Sequence, residues 1–372
     1  MKFLFIVQGE GRGHFTQAIT LEEILRRNGH EVVEILVGKS SSRRLPGYFN
    51  RSVGAPVKRF ISPNFLPTAQ NKRAHIGRSV LYNLLCSPVY LKSMFYIRER
   101  IEKSGADVVV NFYELLTGLT YSFLHPSVPY VCIGHQYLFL HRDFEFPDKS
   151  PASIFMLRLF TRLTSLGSRR RLALSFRKME EDKQMRISVV PPLMRDEVLT
   201  LEPTEGDYIH GYMVNAGFAA NVKAYHTSHP ERKLHFFWDK FGAEDETVVS
   251  PNLTFHQIND ISFLKYMAGC RAFASTAGFE SVCEAMYLAK PVLMVPAHIE
   301  QDCNAYDAAK AGAGIISEDF DLESLHEFVR YYRPNREFVY WAKSCERILL
   351  QELEEVIDQP SLTGYFSPSN NL

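Results

Sequence analysis

Apolar residues in this chain fall into short unbroken runs, each followed by an amphipathic stretch. Phe3 to Val7 is such a run and predicts a buried strand. A turn rich in glycine follows, Gly9-Glu10-Gly11-Arg12-Gly13-His14. Ala18, Leu21, Ile24 and Leu25 then recur at helical spacing, and Asn28-Gly29 is a stop signal. Glu31 to Val37 predicts a second strand. A strand–helix–strand unit needs a crossover, so the sheet is expected to be parallel. Asp107–Val110 and Tyr130–Ile133 read as further strands, and 77–102 as a helix broken near Ser87-Pro88. The cycle restarts with strands at Tyr208–Val214, Lys233–Phe237, Arg271–Ala274 and Val292–Val295. Helices are expected at Phe263–Ala268 and Phe279–Leu288, and one long amphipathic helix at Arg336–Val356. The fold class this predicts is α/β, with two doubly wound domains dividing near 195–206.

Length agrees, because 372 residues exceed one ordinary core. The chain has 42 basic and 42 acidic residues, which argues against a nucleic-acid partner. Cys86, Cys132, Cys270, Cys283, Cys303 and Cys345 are scattered with no C-x-x-C pair, so no zinc site is expected. Free thiols suit a reducing cytoplasm. The first apolar run is too short for a signal peptide, and no run nears the roughly 18 apolar residues of a membrane span. One segment stands apart. Residues 150–179 hold Arg158, Arg162, Arg169, Arg170, Arg171, Arg177 and Lys178 and no acid, interleaved with Ile154, Phe155, Leu157, Leu159, Phe160 and Leu163. It reads either as a solvated helix whose Arg stems pack on the core or as a face for anionic lipid headgroups. The second reading would make a cytoplasmic protein membrane-associated.

The densest chemistry lies in Ser275-Thr276-Ala277-Gly278-Phe279-Glu280-Ser281-Val282-Cys283-Glu284 and in Glu300-Gln301-Asp302-Cys303-Asn304. The first reads as strand, tight turn and helix start. That arrangement aims backbone N–H groups and the positive end of a helix at one point, a seat for a diphosphate. Glu284, Gln301 and Asn304 could grip sugar hydroxyls beside it, which points to a nucleotide sugar. Glu284 also has a plainer reading, as an acid stabilised by the helix dipole. In Gly9-x-Gly11-x-Gly13-His14 the third glycine comes one residue early for a dinucleotide fingerprint, and no acid closes the second strand. The glycines still permit a sharp turn. His14 falls at a helix start beyond a strand's carboxyl end, where α/β proteins bind ligands. An imidazole there can accept a proton near neutral pH; the plainer reading is a surface or capping histidine.

The stretch Thr276–Ala305 resembles the nucleotide-sugar box of the UDP-glycosyltransferases. It is also similar to the bacterial GlcNAc transferase that builds the peptidoglycan lipid intermediate. Gly11-Arg12-Gly13-His14 matches the same families more weakly. The resemblance implies a GT-B fold, two Rossmann-like domains facing a cleft. Residues 1–198 would bind the acceptor and 199–335 the donor, and 336–372 would cross back to the first domain. Thr276, Gly278, Phe279 and Ser281 would hold the donor phosphates, Glu284 the ribose, and Glu300, Gln301 and Asn304 the sugar. His14 would be the general base, on an acceptor loop with Gly11 and Gly13. Relatives often carry a His where Thr276 stands and an Asp where Glu300 stands. The Asp that orients their base corresponds to Asn111, and Glu114 is the nearest acid able to substitute. The implied reaction moves a sugar from a nucleotide diphosphate sugar, UDP-linked, to an acceptor hydroxyl of a lipid or glycan. It inverts the anomeric centre and uses neither metal nor cofactor beyond the nucleotide sugar as co-substrate. Two rival readings are a sugar-nucleotide 2-epimerase and a non-catalytic donor-binding subunit.

Overall fold

The computed structural model describes residues 1–9, 11–39, 47–63, 87–213, 216–238, 240 and 242–358. The chain builds two seven-stranded sheets in succession. The first contains β1 (Lys2–Gln8), β2 (Glu31–Lys39), β3 (Val57–Ile61), β4 (Val108–Phe112), β5 (Tyr130–Gly134), β6 (Arg170–Leu174) and β7 (Ile187–Val190). Its order is β3-β2-β1-β4-β5-β6-β7, parallel throughout. The second contains β8 (Tyr208–Met213), β9 (Lys233–Trp238), β10 (Glu246–Ser250), β11 (Leu253–Gln257), β12 (Ala272–Ser275), β13 (Val292–Met294) and β14 (Gly314–Ile316). Its order is β10-β11-β9-β8-β12-β13-β14, with only the edge pair β10–β11 antiparallel. Helices cover both faces, so central strands such as β4 and β5 are buried along their whole length. This is why they appear in sequence as continuous apolar runs rather than alternating ones.

Strand order reverses between β1 and β4 in the first sheet and between β8 and β12 in the second. A crevice opens at such a switch point, beyond the strands' carboxyl ends. The helix that follows β1 carries His14 in its first turn, and the loop after β12 carries Thr276.

Three expectations need correction. The tail predicted as one helix is two, Arg336–Lys343 and Cys345–Asp358. Ser344 ends the first, its hydroxyl donating back to Trp341 O at 2.6 Å. The basic segment 150–179 is not one face either. It divides into the helix Pro151–Thr164 and β6. Arg170 pairs with Glu352 at 2.6 Å and Glu355 at 3.0 Å, Arg169 donates to Val356 O at 2.6 Å, and Arg171 donates to Ser165 Oγ at 2.8 Å. Arg177 pairs with Asp307 of the second half. The acids missing from this stretch are supplied from far along the chain. Arg169, Arg170, Arg171 and Arg177 thereby tie the last helix to the first sheet, and the two halves to each other. Third, the 77–102 helix is Ser87–Ser104 among the described residues, the part before it lying outside them. Residues 359–372 of the expected crossing tail also lie outside. Among the described residues no helix is long and apolar enough to cross a membrane.

Candidate active site

A cleft of about 2150 Å³ runs between the carboxyl ends of the two sheets. Gly11, Gly13 and His14 line it from one side. Thr276, Gly278, Phe279, Ser281, Glu284, Glu300, Gln301 and Asn304 line it from the other. Glu114, and Asn111 beside it, are not among its lining residues.

The second-half wall is organised by the start of the helix Phe279–Tyr287. Gly278 is its N-cap, with extended backbone and no capping side chain, and among the first-turn amides that of Glu280 is met by its own carboxyl group. Ala277 is forced to φ 57° just before it, a conformation costly for a residue with a side chain. Asn304 Nδ2 braces it by donating to Ala277 O at 3.4 Å. Thr276 Oγ1 and Asn304 Oδ1 are buried without partners. Ser281 Oγ donates to Gly278 O at 3.1 Å. The Phe279 ring stacks on His135 of the first half, centroids 4.1 Å apart and planes at 17°. Its ring therefore joins the halves, and what it offers the turn is its N–H.

Glu284 is buried and ion-paired with Arg195 at 2.6 Å. Burial pushes its carboxyl above the usual range while Arg195 opposes that shift. Glu300 accepts from Gln136 Nε2 at 2.9 Å, another contact between halves. Gln301 Oε1 accepts from Ala297 N at 2.9 Å and so shapes the turn before its own helix, Ile299–Lys310.

On the other wall, His14 lies in the first turn of the helix Arg12–Arg27. It is buried and stacked beside Tyr113, centroids 5.8 Å apart. Burial pushes its pKa below the usual value, and the Glu300 charge and the Gln17 amide oppose that shift. It is therefore neutral at pH 7 and able to take a proton. Glu114 has a different position. It caps the helix Leu115–Leu124, accepting from Leu116 N at 3.1 Å, and takes the Ser62 hydroxyl at 2.5 Å. The carboxylate whose charge acts on His14 is Glu300.

Sequence reading missed Arg195, Gln17 and Glu280. Arg195 follows the Pro191-Pro192 break, and nothing local marks it as a partner for an acid 89 residues away. Gln17 Nε2 donates to Glu280 Oε1 across the cleft. Burial pushes the Glu280 carboxyl up to about 7, and the Glu284 and Glu300 charges add to that shift. The signal for Glu280 was present: an acid inside the turn that should seat an anion.

Two Rossmann-like halves face each other across a cleft, with an anion-ready helix end on one wall and a neutral histidine on the other. That combination defines a GT-B glycosyltransferase. Residues 1–332 match the family described as glycosyl transferase family 1, and the chain belongs to that family. No curated protein relative matches it. Solved structures with the same fold include Os79 from O. sativa in complex with U2F and trichothecene. It is 11% identical with a TM-score of 0.64, over 96% of this chain and 99% of that one. Phytolacca americana UGT2, complexed with UDP-2fluoro-glucose and pterostilbene, is 12% identical with a TM-score of 0.62, over 96% and 100%. Acinetobacter baumannii MurG is 14% identical with a TM-score of 0.55, over 95% and 100%.

Proposed function

We propose that this glycosyltransferase moves a sugar from a UDP-sugar to a hydroxyl of an acceptor with an apolar body, inverting the anomeric centre without a metal ion. Residues 1–198 present the acceptor and 199–335 the donor. The observation that carries this reading is the uncapped helix end at Gly278, with the buried, unpartnered Thr276 Oγ1 beside it, across the cleft from His14. Charge builds on the diphosphate as the glycosidic bond breaks. Amides of the first turn and the hydroxyl of Thr276 take that charge, joined by that of Ser281 once it turns from Gly278 O, the role a metal ion fills elsewhere. Glu284, held by Arg195, accepts from ribose hydroxyls, and Glu300, Gln301 and Asn304 address the sugar. His14 takes the acceptor proton as the oxygen attacks the face opposite the diphosphate. The uridine reading draws on fold likeness to the Phytolacca americana structure.

The acceptor reading draws on the first-half wall. Leu91 and Phe95 on the helix Ser87–Ser104, Phe123 on Leu115–Leu124, and Met156 on Pro151–Thr164 all line the cleft. Each is about half exposed or more. Such a contiguous apolar surface marks a binding face, and with Arg169 to Arg171 engaged internally it replaces the basic face as the reason to expect an amphiphile.

A thermal-shift screen against nucleoside diphosphates and their sugars is the test. UDP-sugars should raise the melting temperature by mass action, and transfer to an apolar alcohol should persist in EDTA and give the inverted anomer by NMR. No stabilisation by any UDP compound would sink the donor assignment. Donor turnover without acceptor would favour the epimerase, and a purified chain that binds donor but never transfers it would favour the binding subunit.

A further inference from the structure

In the families this chain resembles, an acid at the end of a first-half strand orients the base. Here Asn111 stands at that place, and its amide is fully engaged. Nδ2 donates to Glu114 O at 3.2 Å and to Thr164 O at 2.9 Å, while Oδ1 accepts from Glu114 N at 2.9 Å. Asn111 and Glu114 thus hold a loop and a helix cap. The support for His14 comes from elsewhere.

We propose that Gln17 and Glu280 together orient His14, so that a carboxyl group on the donor-side helix sets the base of the acceptor side. The proposal rests on the reading of His14 as base. Gln17 is three residues after His14 on the same helix, so the two share a face, and Gln17 is buried. Its Nε2 donates to Glu280 Oε1, a contact between residues 263 apart in sequence. That bond fixes the direction of the amide, which leaves Oε1 as the acceptor at its other corner. Gln17 Oε1 and His14 Nδ1 are both buried without a completed hydrogen bond. Each is what the other lacks. With Nδ1–H given to Gln17 Oε1, the Nε2 lone pair is the one free to take a proton. The acceptor's proton ends on Nε2, and none passes through the amide. Gly13 has a reason in the same arrangement, because a Cβ there would collide with the Glu280 carboxyl. The charged groups facing this set are Glu300 toward His14, and Glu284 and Glu300 toward Glu280.

Because the support crosses the cleft, His14 is set only when the two halves are docked.

The test uses the full chain at saturating UDP-sugar. Gln17→Met, of similar shape, should lower kcat about 10–100-fold, the range for a group that supports another through a hydrogen bond. The acidic limb of its kcat–pH profile should move to lower pH, since Gln17 holds the His14 pKa up. Its Kd for UDP by calorimetry should stay within about twofold, as expected of a group that only orients another. Glu280→Ala should behave alike, and Glu280→Gln, which can still accept from Gln17, should recover most of the loss. If Gln17→Met does not fold, the Glu280 pair gives the same reading from a side chain that lines the cleft. Wild-type kcat and pH profile in Gln17→Met or Glu280→Ala overturn the proposal. So does a Glu280→Ala loss that appears in Kd for UDP and not in kcat, or a failure of Glu280→Gln to recover. His14→Ala in the same assay separates the two levels. Unchanged turnover there removes the base itself, whereas a loss there with none in Gln17→Met removes only the orienting pair.

Discussion

The two walls of the cleft are made from different material. The donor wall is backbone and buried polar side chains, drawn from one strand–turn–helix at Ser275–Glu284 and one helix start at Glu300–Asn304. The acceptor wall is apolar side chains on three helices far apart in sequence, with Leu91, Phe123 and Met156 left open to solvent. A diphosphate has a fixed shape and charge, and amides at a helix end recognise it wherever the turn can form. An acceptor is recognised by side chains, and any apolar set of the right reach will serve. The first wall is therefore a local motif, and the second is a property of tertiary packing.

The sharpest way to separate the walls is to remove the group that acts where they meet. His14→Ala should lower kcat by about 10²–10⁴-fold, the usual contribution of a positioned base, and leave the Kd for UDP unchanged. A parallel loss of UDP affinity would mean that His14 belongs to the donor wall and that the division is drawn in the wrong place.

Glu280 crosses that division, and its titration gives the next largest effect. Its folded pKa is about 7 against an ordinary 4.5. The native state therefore binds the proton more tightly than the unfolded chain, and stability falls as pH rises from 4.5 to 7, then levels off. The loss is at most about 3 kcal/mol, less as the cleft admits water. Glu280→Gln should remove that part of the slope, so the variant gains on wild type in urea melts at pH 8 but not at pH 4. An identical pH dependence in the two proteins would show that the Glu280 carboxyl is not desolvated between the walls.

The contrast also explains what the sequence could tell. The strands, the two-sheet frame and the donor turn were legible, because each is written in consecutive residues: Phe3–Val7 for a buried strand, Ala277-Gly278-Phe279 for the turn. His14 was legible because the helix start that carries it directly follows β1. Glu114 was misjudged as a partner for it, since nearness in sequence says nothing about which way a capping acid is engaged. Arg195, Gln17 and Glu280 depend on contacts spanning 89 and 263 residues, and only the folded chain brings those side chains together. The partners of Arg170 in the basic 150–179 stretch were hidden for the same reason, as Glu352 and Glu355 arrive from the far end of the chain.

Within the donor wall, Glu284 sharpens the comparison. Glu284→Ala should weaken UDP binding by about 1.5–3 kcal/mol, the range for a hydrogen bond to a charged group, with kcat at saturating donor little changed. Arg195 would then lie unpaired against the site, so Arg195→Met in the same background should recover some folding stability and no affinity. Unchanged UDP affinity in Glu284→Ala would leave the ion pair a purely structural link between the Pro191-Pro192 break and the helix Phe279–Tyr287.

The smallest effect probes the acceptor wall, where no single residue dominates. Phe123 is 69% exposed and lines the cleft, so Phe123→Ala removes little from the core and should leave the melting temperature within about a degree, as surface changes do. If an apolar acceptor covers its ring, losing that burial costs about 1.5 kcal/mol, roughly tenfold in KM. Phe123→Asp should add the desolvation cost of a charge and exceed that figure, while Phe123→Leu should fall below it. The ranking Leu, Ala, Asp is the signature of an apolar contact, and Kd for UDP should be equal in all three. A KM indifferent to the series, with transfer intact, would mean the acceptor meets the enzyme through polar groups near His14 alone. The walls would then differ in sequence origin but not in kind.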